Sequence, residues 1–273
     1  MRCASVGSGS KGNALLVESD ETLLLIDCGF PFSHIERGVE SLGRRVGDIE
    51  AVFITHEHGD HIRGVKTFAK KTSADIYMSY GTAEAASLLA LPRLHFVNDS
   101  EPVTLGDLSV LPVTVPHDAR EPYQYVIRQW HAGACPSSTN ENAVRADDSR
   151  DYRSLGVLTD LGSVPKHVVS AYSRCDALVI EANHDETMLR EGKYPASLKR
   201  RVGGQWGHLS NHQTARFLDD IDQERLQWMM VAHISEQNNC PQKLADTLAS
   251  GFADTHKIHY AEQENGFQWM TID

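Results

Sequence analysis

The stretch Ala51-Val52-Phe53-Ile54-Thr55-His56-Glu57-His58-Gly59-Asp60-His61 sets an apolar run before three imidazoles and the carboxylate of Asp60. Such a list reads as metal ligands, not as packing. A strand that stops at Thr55 leaves His56 and His58 in an open loop, where alternate side chains point the same way and can grip one ion. Asp60 and His61 fall at the start of a following helix, whose inward positions Ile62, Val65, Phe68 and Ala69 recur at helical spacing. They are turned toward a second position, so the pattern predicts two metals side by side. The plainer role for Asp60 is to cap that helix.

Working outward, other acids and histidines end apolar runs in the same way. Asp27 closes Leu23-Leu24-Leu25-Ile26, where an ionised carboxylate needs donors or a cation, and is read as fixing the histidine loop from behind. His117 follows a strand near 108–115, Asp160 follows Leu155 to Leu158, and His233 follows Trp228 to Ala232. A carboxylate has two oxygens, so Asp160 can bridge two cations. The expected set is therefore His56, His58 and His117 around one ion, Asp60, His61 and His233 around the other, and Asp160 between them. Imidazole and carboxylate without thiolate suits zinc, manganese or iron. Paired ions about 3.5 to 4 Å apart can lower the pKa of a shared water toward neutrality and polarise the oxygen that gathers charge. Hydrolysis of an ester, phosphodiester, lactone or thioester follows.

Between these points, Ala14 to Val17 and Leu23 to Ile26 predict a hairpin, and residues 33–43 an amphipathic helix with Ser33 as its cap. Gly7-Ser8-Gly9-Ser10-Lys11-Gly12-Asn13 is a tight turn and lacks the phosphate-loop pattern. Tyr123 to Trp130 is a strand, after which residues 131–153 turn polar and read as an extended hairpin insertion in one domain of 1–273. The one basic concentration, Lys193, Lys199, Arg200 and Arg201, runs into His208-Leu209-Ser210-Asn211. Such a run is usually a solvated face; beside a histidine, a serine and a helix N-terminus at Asn211 it would suit a phosphate. His184 stands between phosphate contact and structural hydrogen bonding.

The chain has a net charge of −11, which argues against nonspecific coating of nucleic acid by a general basic surface but leaves room for a local basic site. Its 5 cysteines are scattered without a C-x-x-C pair and read as reduced thiols of a cytoplasmic protein. No stretch reaches the roughly 18 apolar residues of a membrane span, so no membrane partner is expected.

Thr55 to His61 with Asp27, His117, Asp160 and His233 resembles the metallo-β-lactamase superfamily. The resemblance implies an α/β αββα sandwich with metals at one edge. The segments Ser8 to Asn13, Glu181 to Asp185, Tyr194 to Arg201, Gly207 to Asn211 and Ala232 to Asn239 are similar to the YycJ/WalJ-type group. That group implies a metal-dependent DNA exonuclease acting from the 5′ end, often with manganese. It also implies that His208 matches a histidine that contacts the scissile phosphate in tRNA 3′-processing nucleases. The insertion at 131–153 departs from the group's pattern. The expectation is a phosphodiesterase that takes DNA in preference to RNA, in which Asp60 and His208 are catalytic and His184, Lys199, Arg200, Arg201, Ser210 and Asn211 hold phosphate. The alternatives are an RNA-processing endonuclease, or a thioester or lactone hydrolase on the same fold. A di-iron redox protein would typically carry glutamate in place of His58.

Overall fold

The computed structural model describes residues 1–130 and 152–273. The chain opens with β1 (Arg2–Gly7), β2 (Ala14–Glu18) and β3 (Leu23–Ile26), then α1 (Phe32–Ser41) and β4 (Ala51–Phe53). Two short helices, α2 (Gly59–Ile62) and α3 (Val65–Lys71), lead to β5 (Asp75–Met78), α4 (Tyr80–Ala85) and β6 (Leu94–Phe96). A second sheet starts with β7 (Val103–Leu105), β8 (Leu108–Thr114), β9 (Tyr123–Trp130) and β10 (Tyr152–Leu158). It continues through α5 (Lys166–Tyr172), β11 (Ala177–Glu181), α6 (Glu186–Glu191), α7 (Ala196–Val202), α8 (Asn211–Asp220), β12 (Trp228–Ala232), α9 (Pro241–Gly251) and β13 (Ile258–Tyr260). Finally β14 (Phe267–Thr271) returns to the first sheet beside β1.

Among the described residues the two sheets have seven strands each, in the orders β14-β1-β2-β3-β4-β5-β6 and β13-β12-β11-β10-β9-β8-β7. They stack face to face around Val17, Leu24, Phe53, Val110, Tyr125, Val157, Val179 and Met230. The outer face of the first sheet is covered by Ile35 and Val39 of α1 and Val65 and Phe68 of α3. On the second, Tyr172 of α5, Phe217 and Leu218 of α8 and Leu244 and Leu248 of α9 do the same. This is the αββα sandwich. Because both faces of its inner strands are buried, those strands read as continuous apolar runs. In β11, Ala177 and Val179 enter the core between the sheets while Leu178 and Ile180 meet the helices.

Strand direction decides where the chemistry gathers. β3 and β4 are parallel, as are β10, β11 and β12, and two antiparallel steps through β9 make β8 run with β10. The residues following β3, β4, β8, β10 and β12 therefore collect at one edge of the sandwich. No helix among the described residues is long and apolar enough to cross a membrane.

Several expectations need correction. Ser33 is not a cap: α1 starts at Phe32 behind Pro31, with no side-chain cap hydrogen bond. β10 starts at Tyr152, three residues before the apolar run, because Tyr152 and Arg153 pair with Trp130 and Gln129 across the hairpin. The insertion predicted at 131–153 otherwise lies at 131–151, outside the described residues. The short strand β7 and the helix α4 carry too few apolar residues to be read from periodicity.

Candidate metal centre

The centre is built on loops pinned by backbone hydrogen bonds. His56 and His58 leave β4, and α2 begins directly after His58, which stands at its N-cap without a capping side chain. Asp60 does not cap this helix; its carboxylate faces His61 and His233, with Oδ2 3.6 and 3.4 Å from their Nε2 atoms. The turn is held by the Asp60 carbonyl accepting from Asn13 N at 2.8 Å and the His61 carbonyl accepting from Cys28 N at 2.7 Å. Asp27 and His233 both occupy the left-handed region, with φ of 61° and 50°. Non-glycine residues held there store strain of about 1 to 3 kcal/mol, which persists only where the surroundings over-determine it.

Nitrogens and oxygens converge from five loops. His56 Nε2 and His117 Nε2 lie 3.0 and 3.2 Å from His58 Nδ1. His61 Nε2 is 3.2 Å from Asp160 Oδ2. Four overlapping triads have donor atoms within 4.8 Å of one another: His56, His58 and His117; His56, His61 and Asp160; Asp60, His61 and His233; Asp160, His208 and His233. Behind them a second set of atoms fixes each ring. His56 Nδ1 meets Thr55 Oγ1 at 2.9 Å, His61 Nδ1 meets Asp27 Oδ2 at 2.7 Å, and His117 Nδ1 donates to the Gly207 carbonyl at 2.9 Å. Asp27 Oδ1 also accepts from Thr55 N and Thr55 Oγ1, both at 2.9 Å. With Nδ1 engaged in this way, Nε2 of His56, His61 and His117 is the ring atom left to face an electrophile.

Charge balance tests whether a cation fits. Burial, followed by neighbouring imidazoles, pushes His56 well below its usual range and His117 down to about 2, so both are neutral and able to ligate a metal. Burial would also depress His61 and His233, yet Asp160 and the surrounding carboxylates raise them to about 10 and about 9. Protons thus stand where divalent ions would balance the buried acids. Asp160 Oδ2 is buried and accepts no hydrogen bond. Burial pushes the Asp160 carboxyl above its usual range, a cation beside it favours the ionised form, and the donor set fits a divalent one.

A cavity of about 370 Å³ opens over these groups, and His58, Asp60, Asp160, Tyr194, Arg201, His208 and His233 line it. Of the expected phosphate contacts, Arg201 and His208 reach it; the others do not. Lys199 Nζ donates to the Arg190 carbonyl at 2.7 Å, and neither Lys199 nor Arg200 lines the cavity. Ser210 caps α8 by accepting from Gln213 N, with Gln213 returning the bond, and donates to Glu186. Asn211 is fully buried against Asn239, and His184 is buried with Nδ1 unpartnered. Ser210 and Asn211 are thus engaged within the fold, and none of Ser210, Asn211 and His184 lines the cavity. Three supporting residues were missed. Glu181, fully buried, meets His208 Nδ1 with Oε2 at 3.0 Å; Asn13 Nδ2 lies 3.1 Å from His61 Nε2; Ser8 Oγ accepts from His233 N. Glu181 had a signal in the sequence, an acid closing an apolar strand as Asp27 and Asp160 do.

The chain is also similar to known proteins. A family model described as a β-lactamase superfamily domain matches residues 22–234. The chain belongs to the metallo-β-lactamase superfamily. Within that superfamily it falls in the YycJ/WalJ group: exodeoxyribonuclease YycJ of Bacillus anthracis is 32% identical over 240 residues, 86% of this chain and 82% of that protein. Exodeoxyribonuclease WalJ of Streptococcus pneumoniae is 29% identical over 254 residues, 91% of this chain and 87% of that protein. The metallo-β-lactamase fold protein YhfI from Bacillus subtilis superposes with a TM-score of 0.70 over 98% of each chain at 15% identity, a likeness of fold alone. Superfamily membership and the donor set together make the chain a metal-dependent hydrolase.

Proposed function

We propose that the chain is a two-metal phosphodiesterase that removes nucleotides from the 5′ end of DNA. The observation that carries this reading is that Arg201 and His208 share the cavity with Asp60, Asp160 and His233, so one chamber offers a cation and a hydrogen-bond donor beside the metal ligands. The names of the YycJ and WalJ relatives support nucleic acid, and DNA before RNA. His56, His58 and His117 would hold one ion, Asp60, His61 and His233 the other, and Asp160 would bridge, with zinc or manganese suited to these donors and iron to a lesser extent. When bound, such ions supply Lewis acidity and a water acidic enough to act as a nucleophile near neutral pH.

The chain's own residues do the rest. Burial raises Glu181 to about 8, so below that pH its carboxyl donates to His208 Nδ1. His208 then presents Nε2–H to the cavity, as a donor for a phosphate oxygen that gathers charge. Arg201 is paired with Asp118 across the cavity wall, and an incoming phosphate exchanges one anion for another on the same guanidinium. Asp60 is held well below the usual carboxylate range: burial opposes this, but His61 and His233 prevail. It stays ionised to orient the nucleophile.

Digestion of end-labelled single- and double-stranded DNA and matched RNA by the metal-reconstituted protein tests the reading. The expected result is mononucleotide release from 5′-phosphorylated DNA, slower turnover of RNA and no turnover by an Asp60→Ala/His61→Ala variant. A double variant that degrades DNA at the normal rate would sink the metal mechanism. Faster cleavage inside RNA would favour the endonuclease alternative.

A further inference from the structure

The glycine-rich turn between β1 and β2 does more than reverse the chain. Two of its polar side chains serve the metal centre from behind: Ser8 Oγ accepts from His233 N, and Asn13 Nδ2 lies 3.1 Å from His61 Nε2. Ser10 is placed differently. It is exposed, it lines the cavity, and its hydroxyl has no hydrogen-bond partner among the described residues. The turn holds it there: Gly12 N donates to the Gly9 carbonyl at 3.0 Å, Gly9 N to Asn13 Oδ1 at 2.8 Å, and Lys11 N to Gln263 Oε1 at 2.9 Å.

Arg63 brings a cation to the same rim. It ends α2, two residues after His61, and its exposed side chain reaches back so that Nη1 donates to the Lys11 carbonyl at 3.4 Å. Beyond the backbone of α2 and the adjoining residues, Arg63 Nη2 is the nearest atom to where a Cβ on Gly59 would stand, at 4.0 Å. Gly59 itself lines the cavity beside His58 and Asp60. The guanidinium therefore flanks the mouth of the chamber that holds the metal ligands, and the turn that carries Ser10 tethers it.

The neighbouring cations are already answered. Lys11 Nζ pairs with Glu236 at 3.2 Å and Glu264 at 3.8 Å, and Arg201 pairs with Asp118. Arg63 meets no carboxylate within ion-pair distance among the described residues. A guanidinium fork beside a free hydroxyl is the donor set that tetrahedral oxyanions recruit, two oxygens on the fork and a third on the hydroxyl. The phosphate undergoing hydrolysis is already provided for by the metal ligands, Arg201 and His208. A nucleic-acid strand carries a phosphate on every residue, so a strand whose scissile phosphate lies over the metals brings others to the rim.

We propose that Ser10 and Arg63 form a second phosphate subsite, which holds a backbone phosphate next to the scissile one. This rests on the nuclease reading above and deepens it, because a second phosphate subsite favours a polymer over a small ester. The subsite touches no metal ligand's donor atom and acts on binding. Its removal should therefore weaken capture of the strand and leave the chemical step alone.

The test uses the manganese-loaded protein, its R63A, R63K and S10A variants, and a control, K70A, whose residue is exposed on α3 and lines no part of the cavity. The substrates are 5′-phosphorylated DNA, offered as a single strand and as a duplex, and bis(p-nitrophenyl) phosphate, an ester with a single phosphate. On whichever form of DNA is degraded, R63A should raise KM by about 3- to 30-fold and S10A by about 2- to 10-fold, each with kcat within about twofold. R63K keeps the charge without the fork and should recover part of the loss. R63A should also flatten the dependence of log affinity on log salt by about 1, the signature of one lost phosphate contact. Its loss of kcat/KM should be at least about threefold greater on DNA than on the ester, and K70A should behave as the wild type on both. An unchanged KM and salt slope for R63A on DNA overturns the subsite, and so does an equal loss on DNA and ester, which would put Arg63 in the service of the metals. A wild-type protein that degrades neither form of DNA, whatever it does to the ester, overturns the nuclease reading, and the subsite with it.

Discussion

Asp27 shows how much of this centre depends on residues that would touch no metal. Its Oδ2 holds His61 Nδ1 at 2.7 Å, and its Oδ1 holds Thr55, whose hydroxyl in turn meets His56. Asparagine tolerates the same left-handed backbone, so Asp27→Asn keeps the shape and removes the charge. Loss of such outer partners weakens metal binding by about 10- to 100-fold, and chelator competition on Asp27→Asn should read a drop in that range with cooperative unfolding retained. The basic run makes a sharper contrast. Arg201 lines the cavity, whereas Lys199 Nζ is engaged by the Arg190 carbonyl away from it. Arg201→Glu should lower kcat/KM on an oligonucleotide by at least about tenfold, the scale of one lost charge-assisted phosphate contact, while Lys199→Glu stays within about threefold. Equal losses from the two would mean that the run acts only through its overall field.

At the scale of elements, α2 matters because a four-residue helix places Asp60 and His61. Packing, not helix propensity, holds it: Cys28 N donates to the His61 carbonyl, Gly64 N to the Cys28 carbonyl, and Asn13 N to the Asp60 carbonyl. Gly29 lies so close to that last carbonyl that any Cβ would collide with backbone. Gly29→Ala should therefore lower the unfolding midpoint and metal affinity together, which calorimetry and chelator competition would show; a change in neither would mean that the α2 turn has room to shift. The seven ligand candidates were legible in the sequence because each follows an apolar strand whose end needs no other explanation. What stayed hidden depends on how the sheets stack. Asn13 and Ser8 look like parts of a glycine-rich turn until that turn lies against His61 and His233. Ser210 has a local partner that the sequence also carries: Ser210-x-x-Gln213 is a capping-box signature, and it engages the serine at the start of α8.

For the whole molecule, the centre ties stability to pH. His61 and His233 have folded-state values of about 10 and about 9, above the usual 6.5, and buried Glu181 stands at about 8, above 4.5. All three are raised, so each stabilises the fold most fully below its unfolded value and loses that contribution as pH rises through its folded value. The metal-free protein should therefore become steadily less stable from about pH 6.5 to about pH 10, as buried acids lose the protons that balance them. Divalent ions replace those protons and are bound more tightly as pH rises, because the imidazoles must be deprotonated to ligate. The gap between the unfolding midpoints of metal-loaded and metal-stripped protein should thus widen across that window. Thermal unfolding of both forms at pH 6, 7, 8 and 9 measures it directly, as does an Asp160→Asn variant, which removes one of the acids and should flatten the metal-free slope. A gap that stays constant from pH 6 to 9 would show that Asp27, Asp60 and Asp160 are balanced in the free protein by something other than protons on His61 and His233.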